Sequence, residues 1–398
     1  MNNAKTKEQH YIPKFYLKNF ADSNKKFNII NISKKKPINN ITYMSQFKEK
    51  YFYDKDNHIE NKLSQLETDW ANLINKIISG DYPSDEEKKK LKEFAIFQRN
   101  RTYYKSEELL EMSWQSQKTL IEMKLTKQNK KISDELLSKM KDKYKKEYPH
   151  KVITRAINIA EKNLNIIDDL KVAIIKYDTK SKLISSDNPI VHYNNFDNKS
   201  VGYINGGLII FFPISSEILC VIYDSKIYLE LNQDNFIHCK NEYEVKFLNY
   251  FQILNAYNFI FFKDDNMTSN LVNELKKNKI QRLLNFPKLK TNILGSDDSK
   301  IITFSAQYIY LKHTFSFAKL TQRAKMVPQN AIDWFPRNYD EKYFNGNFKS
   351  RKEIVPFLSH LKKKNELKNA VIWTNDEIEK FNKFVIDYWN NKLWIKIM

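Results

Sequence analysis

Glycine is scarce in this chain, with 6 in 398 residues. Folds that cradle phosphates on glycine-rich loops need several glycines at fixed spacing. Neither a Walker-type phosphate loop nor a dinucleotide glycine fingerprint is present. The paired-histidine zinc helix and the nucleophile elbow are absent too. Only two cysteines occur, Cys220 and Cys239. They are too few for a disulfide framework and too far apart for a metal knuckle. Cys220, inside "EILCVIYD", reads as a buried strand residue. No apolar run is long enough to span a bilayer, and "MNNAKTKEQH" lacks the apolar stretch of a secretory signal. These absences predict a cytoplasmic protein in a reducing compartment, without a membrane partner.

Positive charge is abundant. Lys and Arg number 67 against 47 Asp and Glu, a formal net charge of +20. That excess favours polyanionic partners, nucleic acid above all. Part of it is compositional, because the chain is rich in Lys, Asn and Ile together, as A/T-rich codons impose. A hydrophobic fraction of 41% supports a real core.

The chain reads as α+β: a helical N-terminal half packed on a mainly antiparallel sheet, with a basic C-terminal appendage. Residues 27–54 hold two β-branched runs around a Lys/Pro/Asn turn, predicting a hairpin. Ile59, Leu63, Leu66, Trp70, Leu73 and Ile77 recur at helical spacing. Ser84 with Glu87 three residues on predicts a capping box opening a second helix. Further charged helices follow over 106–165, punctuated by Pro149. From residue 168 strands alternate with turns; helices are expected at "EYEVKFLNYFQILNAY" and "TSNLVNELKKNKIQRLL" around the strand "NFIFFKD". The division is a core domain over 8–285, helical over 57–165 and sheet over 168–285, then an accessory region over 295–398. That region contains "WFPRNYDEKYF" and ends in an aromatic amphipathic helix. Repeats and long low-complexity tracts are absent.

Several short stretches carry candidate chemistry. "YDTK" and "YDSK" place Asp178 with Lys180 and Asp224 with Lys226, which imitates a restriction-type nuclease core. Both lie between apolar runs and read more simply as hairpin turns. In "ISSDNPIV", Ser186, Asp187 and Asn188 follow a strand directly. They offer a hydroxyl, a carboxylate and an amide at one point, the donors of a Mg²⁺ site or a hydrogen-bonding pocket; a plain turn is the alternative. Glu60 and Glu67 are seven apart, hence on one helix face near the apolar stripe. Gln98 and Arg101, three apart, share another face. Arg101 is placed either to bridge Glu60 or Glu67, or to hold a phosphate. For His10 in "QHYIPKFYLKNF" the roles open are core filler, general acid or base, and metal ligand. The aromatics around it predict a short buried helix after Pro13.

Taken in order, "QHYIPKFYLKNF", "YFYDKDNHIENKLSQLET", "FAIFQRNRT", "LISSDNPIV" and "LNYFQILNAYNFIFF" resemble the domain-of-unknown-function family 4238, over about residues 8–265. That bacterial and phage family opens on an aromatic-rich His-x-x-Pro segment. It continues through glutamate-bearing helices and a Gln/Arg-Thr helix to a Ser-Asp-x-Pro strand end. The resemblance points to His10, Pro13, Glu60, Glu67, Gln98, Arg101, Asp187 and Pro189, with Asn249. The chain departs from the family pattern at Gln9, where relatives carry a second histidine.

If these residues converge, they form one pocket suited to cutting a phosphodiester. His10, Glu60, Glu67 and Asp187 would then be catalytic, with Glu60, Glu67 and Asp187 holding Mg²⁺ or Mn²⁺. His10 would move a proton. Gln98, Arg101, Ser186 and Asn188 would bind phosphate or substrate. The resulting expectation is a nuclease on RNA or DNA, in bacterial anti-phage defence. The alternatives are a non-catalytic sensor that binds nucleic acid or a nucleotide, and a toxin-like enzyme that consumes a nucleotide. A homo-oligomer or a partner protein would dock through the C-terminal region.

Overall fold

The computed structural model describes residues 8–128, 131–147, 149–195, 202–203, 205–277, 289–294, 301–306 and 313–326. Strand β1 (Glu8–His10) is followed by Pro13, whose φ of −62° places it at the N-cap of helix α1 (Lys14–Lys18). This is the short helix expected after Pro13; it buries Tyr16 and Leu17, and Phe20 follows into the same core. The expected hairpin is β2 (Lys26–Asn31) with β3 (Lys36–Thr42), antiparallel and turned at Lys35, whose φ of 52° is left-handed. Strand β4 (Lys48–Lys50) returns to pair with β1, setting Lys48 opposite His10.

Helix α2 (His58–Ser79) buries Ile59, Leu63, Trp70, Leu73 and Ile77 of the stripe read from spacing and half-buries Leu66. It stops at Gly80, whose φ of 110° a residue with a Cβ rarely adopts. Helix α3 (Asp85–Asn100) opens on the Ser84–Glu87 capping box, both reciprocal bonds present. Helices α4 (Tyr103–Lys127), α5 (Asp134–Glu147) and α6 (Pro149–Lys162) complete the helical part. Pro149 begins α6 rather than merely interrupting, because a first-turn residue has no helical N–H bond to lose.

The strands that follow are β5 (Lys171–Tyr177), β6 (Ser185–Ser186), β7 (Val191–Tyr193), β8 (Ile209–Pro213), β9 (Ile218–Tyr223) and β10 (Ile237–Cys239). Then come helix α7 (Glu242–Asn255), β11 (Phe259–Phe262), α8 (Met267–Lys277), the β12 (Leu289–Leu294) and β13 (Ile301–Ala306) hairpin, and α9 (Gln322–Met326). The central sheet runs β10-β5-β9-β8-β7, antiparallel except for the parallel β10–β5 pair. A second, antiparallel sheet runs β3-β2-β11-β6. The N-terminal hairpin therefore completes a sheet whose other strands lie more than a hundred residues away. The fold is α+β.

Alternation along the central strands decides what each face touches. Val172, Ile174, Ile210, Phe212, Cys220 and Ile222 join the helical core with Phe94, Ile157 and Trp70. Ala173, Ile175, Ile209, Phe211, Val221 and Tyr223 face the other way, onto Val245, Leu248 and Phe251 of α7. Phe315, Phe317, Ala318 and Ala324 close that second layer. Part of the region read as a C-terminal accessory thus packs into the core. The "WFPRNYDEKYF" stretch, the expected terminal helix and the rest of residues 327–398 lie outside the described residues. No described helix is long and apolar enough to cross a membrane.

Candidate active site

The opening segment is held by pegs. Gln9 is fully buried. Its Oε1 accepts from the Tyr53 N–H at 2.7 Å, and its Nε2 donates to the Asp54 carbonyl at 2.9 Å and to Asn57 Oδ1 at 3.1 Å. A carboxamide supplies donor and acceptor at one tip, which gives Gln9 a structural task beside His10. Gln98 Nε2 donates to the Tyr11 carbonyl at 3.1 Å. Arg101, the residue closing α3, is 1% exposed. Its Nη2 donates to the His10 carbonyl at 2.7 Å and its Nε to the Tyr53 hydroxyl at 2.9 Å. Tyr53 in turn donates its hydroxyl to the same His10 carbonyl at 2.8 Å. Arg101 Nη1 lies 2.6 Å from Glu67 Oε1, an ion pair without well-aligned hydrogen-bond geometry. Of the two bridges open to it, Arg101 makes the one to Glu67. Its guanidinium thus reaches the His10 carbonyl, the Tyr53 hydroxyl and the Glu67 carboxylate together.

Around that peg sit two groups with displaced protonation. Burial, then the charges of Lys14, Lys48 and Arg101, push the His10 imidazole down to about 4, with the Met44 backbone opposing. Burial, then the Glu67 and Asp54 charges, push Glu60 up to about 7, against Arg101 and Lys14. Both groups therefore feel Lys14 and Arg101. His10 Nε2 and Glu60 Oε2 are buried atoms without a hydrogen-bond partner among the described residues. Gln98 Oε1 is another. The lowered value leaves His10 a free base near neutral pH, and the raised one lets Glu60 keep a proton at a higher pH than a solvated glutamate does. Groups whose environments push their pKa values apart in this way are suited to acid and base roles.

The Ser-Asp-Asn cluster is committed elsewhere. Asp187, 2% exposed, accepts from the Tyr257, Asn258 and Phe259 N–H groups at 2.7, 2.7 and 3.0 Å. It ties β6 to the turn before β11. Ser186 Oγ donates to Gln252 Oε1 at 2.8 Å, and Asn188 Nδ2 donates to the Asn255 carbonyl at 2.9 Å. Asn249 Oδ1 accepts from the Ile184 N–H, and Gln252 Nε2 donates to the Pro189 carbonyl. One polar face of α7 is thus zipped to residues 182–190. Asp187 still reaches Tyr11: after burial, its charge is the next cause holding that phenol above its usual range. The two nuclease-like fragments are turns. Asp224 accepts from the Gly207 and Lys226 N–H groups, and Asp178 pairs with His238 at 2.7 Å.

The chain thus brings His10, Glu60, Glu67 and Arg101 together, joined by Tyr53, which the sequence reading passed over. Ser186, Asp187 and Asn188 instead join β6 to α7 and β11. The expected metal set of Glu60, Glu67 and Asp187 does not fit a Mg²⁺ or Mn²⁺ ion. Asp187 gives its oxygens to three amides, and Glu67 gives one to Arg101. Among the described residues no three His, Cys, Asp or Glu side chains form a metal-holding group. Reasoning from sequence also missed Lys14, Asp54 and the α7 amides Gln252 and Asn255. The Asn249-Gln252-Asn255 spacing, three residues each time, was the available signal for that polar face.

Pegs, helices and strand ends of this kind define an α+β domain with one polar centre at its N-terminal segment. The profile of the family described as "Protein of unknown function (DUF4238)" matches residues 8–266, and the chain belongs to that family. No curated protein and no solved structure matches it.

Proposed function

We propose that the chain cleaves nucleic-acid phosphodiesters by proton transfer at His10 and Glu60, in bacterial anti-phage defence. The observation that carries this reading is the pair of buried, unpartnered atoms, His10 Nε2 and Glu60 Oε2, with opposite protonation beside Lys14. Neutral His10 takes the proton of the attacking hydroxyl or water. Protonated Glu60 gives its proton to the leaving oxygen. Lys14 offsets the phosphate charge. Arg101 and Tyr53 hold the His10 backbone in place. The formal charge of +20 supports a polyanionic substrate.

The test is a cleavage assay on labelled RNA, single-stranded DNA and plasmid, with Mg²⁺ or Mn²⁺ and with EDTA. Wild type is expected to cut at least one substrate with or without EDTA. Glu60→Gln and His10→Asn are each expected to lower the rate about 10²–10⁴-fold, the usual contribution of a general acid or base. Activity should be highest between about pH 4 and 7, the window set by these two groups. Full activity in both variants would sink the reading. A second reading, a sensor that binds without turnover, draws on the engagement of Arg101, Asp187 and Ser186 in structural bonds. Tight binding with no cutting by wild type would select it.

A further inference from the structure

A groove of about 670 Å³ opens beside this centre, between the 53–56 loop and α6. That volume lies within the range of ligand sites. Its α6 wall is one stripe, Arg155, Asn158, Ile159 and Lys162, at helical spacing i, i+3, i+4 and i+7. The opposite stripe of the same helix, Ile153, Ala156, Ile157 and Ala160, is buried in the core. The stripe in the groove is therefore the outward one, and the helix does not need it for packing.

The side chains along it have nothing to hold. Arg155, Asn158 and Lys162 are exposed, as is Lys55 on the facing loop. None of the four makes a hydrogen bond or ion pair with a described residue. Ile159 is 49% exposed between them. The nearest carboxylates are partly spent. Asp54 caps the start of α2, its Oδ2 accepting from the Ile59 N–H at 2.6 Å. Asp56, exposed, accepts from the His58 N–H at 3.4 Å. Glu161, the next charge on α6, pairs with Lys62. Three uncommitted cations, one free amide and an apolar side chain thus line one concavity. Cations suit phosphate oxygens, the amide suits a sugar or base edge, and the apolar side chain suits a base face.

We propose that this groove binds the phosphates of a nucleic-acid strand through Lys55, Arg155 and Lys162, with Asn158 and Ile159 against sugar or base. The groove is joined to the acid–base centre by covalent and hydrogen-bonded links. Tyr53 and Asp54 line it, while the Tyr53 hydroxyl and N–H bond the His10 carbonyl and Gln9. Thr154 of α6 donates to the Tyr53 carbonyl at 2.9 Å. The assignment deepens the nuclease reading by saying where the strand lies, and it stands on the groove's own chemistry.

Fluorescence anisotropy with labelled single-stranded RNA and DNA tests it, comparing wild type with the double variant Arg155→Gln, Lys162→Gln. Both residues are exposed and unpartnered, so the melting temperature should not move. The double variant should lose at least tenfold in affinity. The slope of log K against log salt should shrink by about 1.4, roughly 0.7 for each single-strand phosphate no longer neutralised. Displacement by AMP would mark the bound unit as a single nucleotide; its failure would mark a strand. Either supports the shared phosphate chemistry. Unchanged affinity and slope in the double variant, or no binding by wild type, would overturn the groove. The two readings separate cleanly. Binding through the groove without cutting leaves the groove standing and removes the nuclease. Cutting with unchanged KM in the double variant does the reverse.

Discussion

Removing the Arg101 guanidinium would leave the Glu67 carboxylate without its cation and the Tyr53 hydroxyl and His10 carbonyl each one donor short. Breaking a buried ion pair from one side costs about 3–5 kcal/mol. Arg101→Met is therefore expected to lower urea-unfolding stability by roughly that much, and Arg101→Lys to recover little, since an ammonium lacks the planar fork. Glu60 makes a prediction in pH. Its folded value of about 7 lies above the 4.5 of an unperturbed glutamate. The native state therefore binds more protons than the unfolded chain between those values. The Glu60 contribution is complete below about 4.5 and is lost as pH rises through about 7. His10 runs in the opposite sense: its contribution is complete above 6.5 and is lost as pH falls through about 4. Urea midpoints from pH 5 to 8 should decline less steeply in Glu60→Gln than in wild type. Equal slopes would mean that the carboxyl ionises normally.

Helix α7 and the strand-end turn act as a unit. Asp187 holds three backbone amides, and Gln252 joins Ser186 to the Pro189 carbonyl. Hydrogen bonds to a charged group contribute about 1.5–3 kcal/mol each, without simple addition. Asp187→Ala should accordingly destabilise by about 3 kcal/mol or more, seen as a large fall in melting temperature. Asp187→Asn should cost less, because one amide oxygen still accepts. Were Asp187→Ala to leave stability intact while abolishing cleavage, the residue would belong to the chemistry after all. Gln252→Ala strands a buried hydroxyl and a carbonyl, at about 1–3 kcal/mol.

Across the whole molecule, the inner strands of the central sheet are buried on both faces, and residues 315–324 supply part of one cover. Phe315 and Phe317 stack at 4.8 Å between ring centres. Glu244, 1% exposed, accepts from the Ser316 N–H at 2.7 Å and from the Tyr177 hydroxyl at 2.6 Å. Phe315→Ala should cost about 3–5 kcal/mol. Glu244→Gln should make residues 313–318 cleavable under limited proteolysis at protease levels that spare wild type. Resistance equal to wild type would show that apolar packing alone holds the segment.

Local chemistry was legible in the chain itself. The α2 stripe, the Ser84–Glu87 box, the helix after Pro13 and the β2–β3 hairpin all depend on neighbours within a turn or a loop, so their residue patterns announce them. The order of five motifs marked His10, Glu60, Glu67 and Arg101 among the residues expected to share one pocket, but not the contacts by which they meet. The separate task of Asp187 was not. Its partners are the backbone amides of residues 257–259, and every residue but proline carries such an amide, so no sequence signal marks them. For the same reason only tertiary structure decided that the N-terminal hairpin would pair with β11, and that residues 313–326 would return to the core. Strand pairing and burial are settled by which complementary face is in reach once the chain has collapsed, and that reach is a property of the whole molecule.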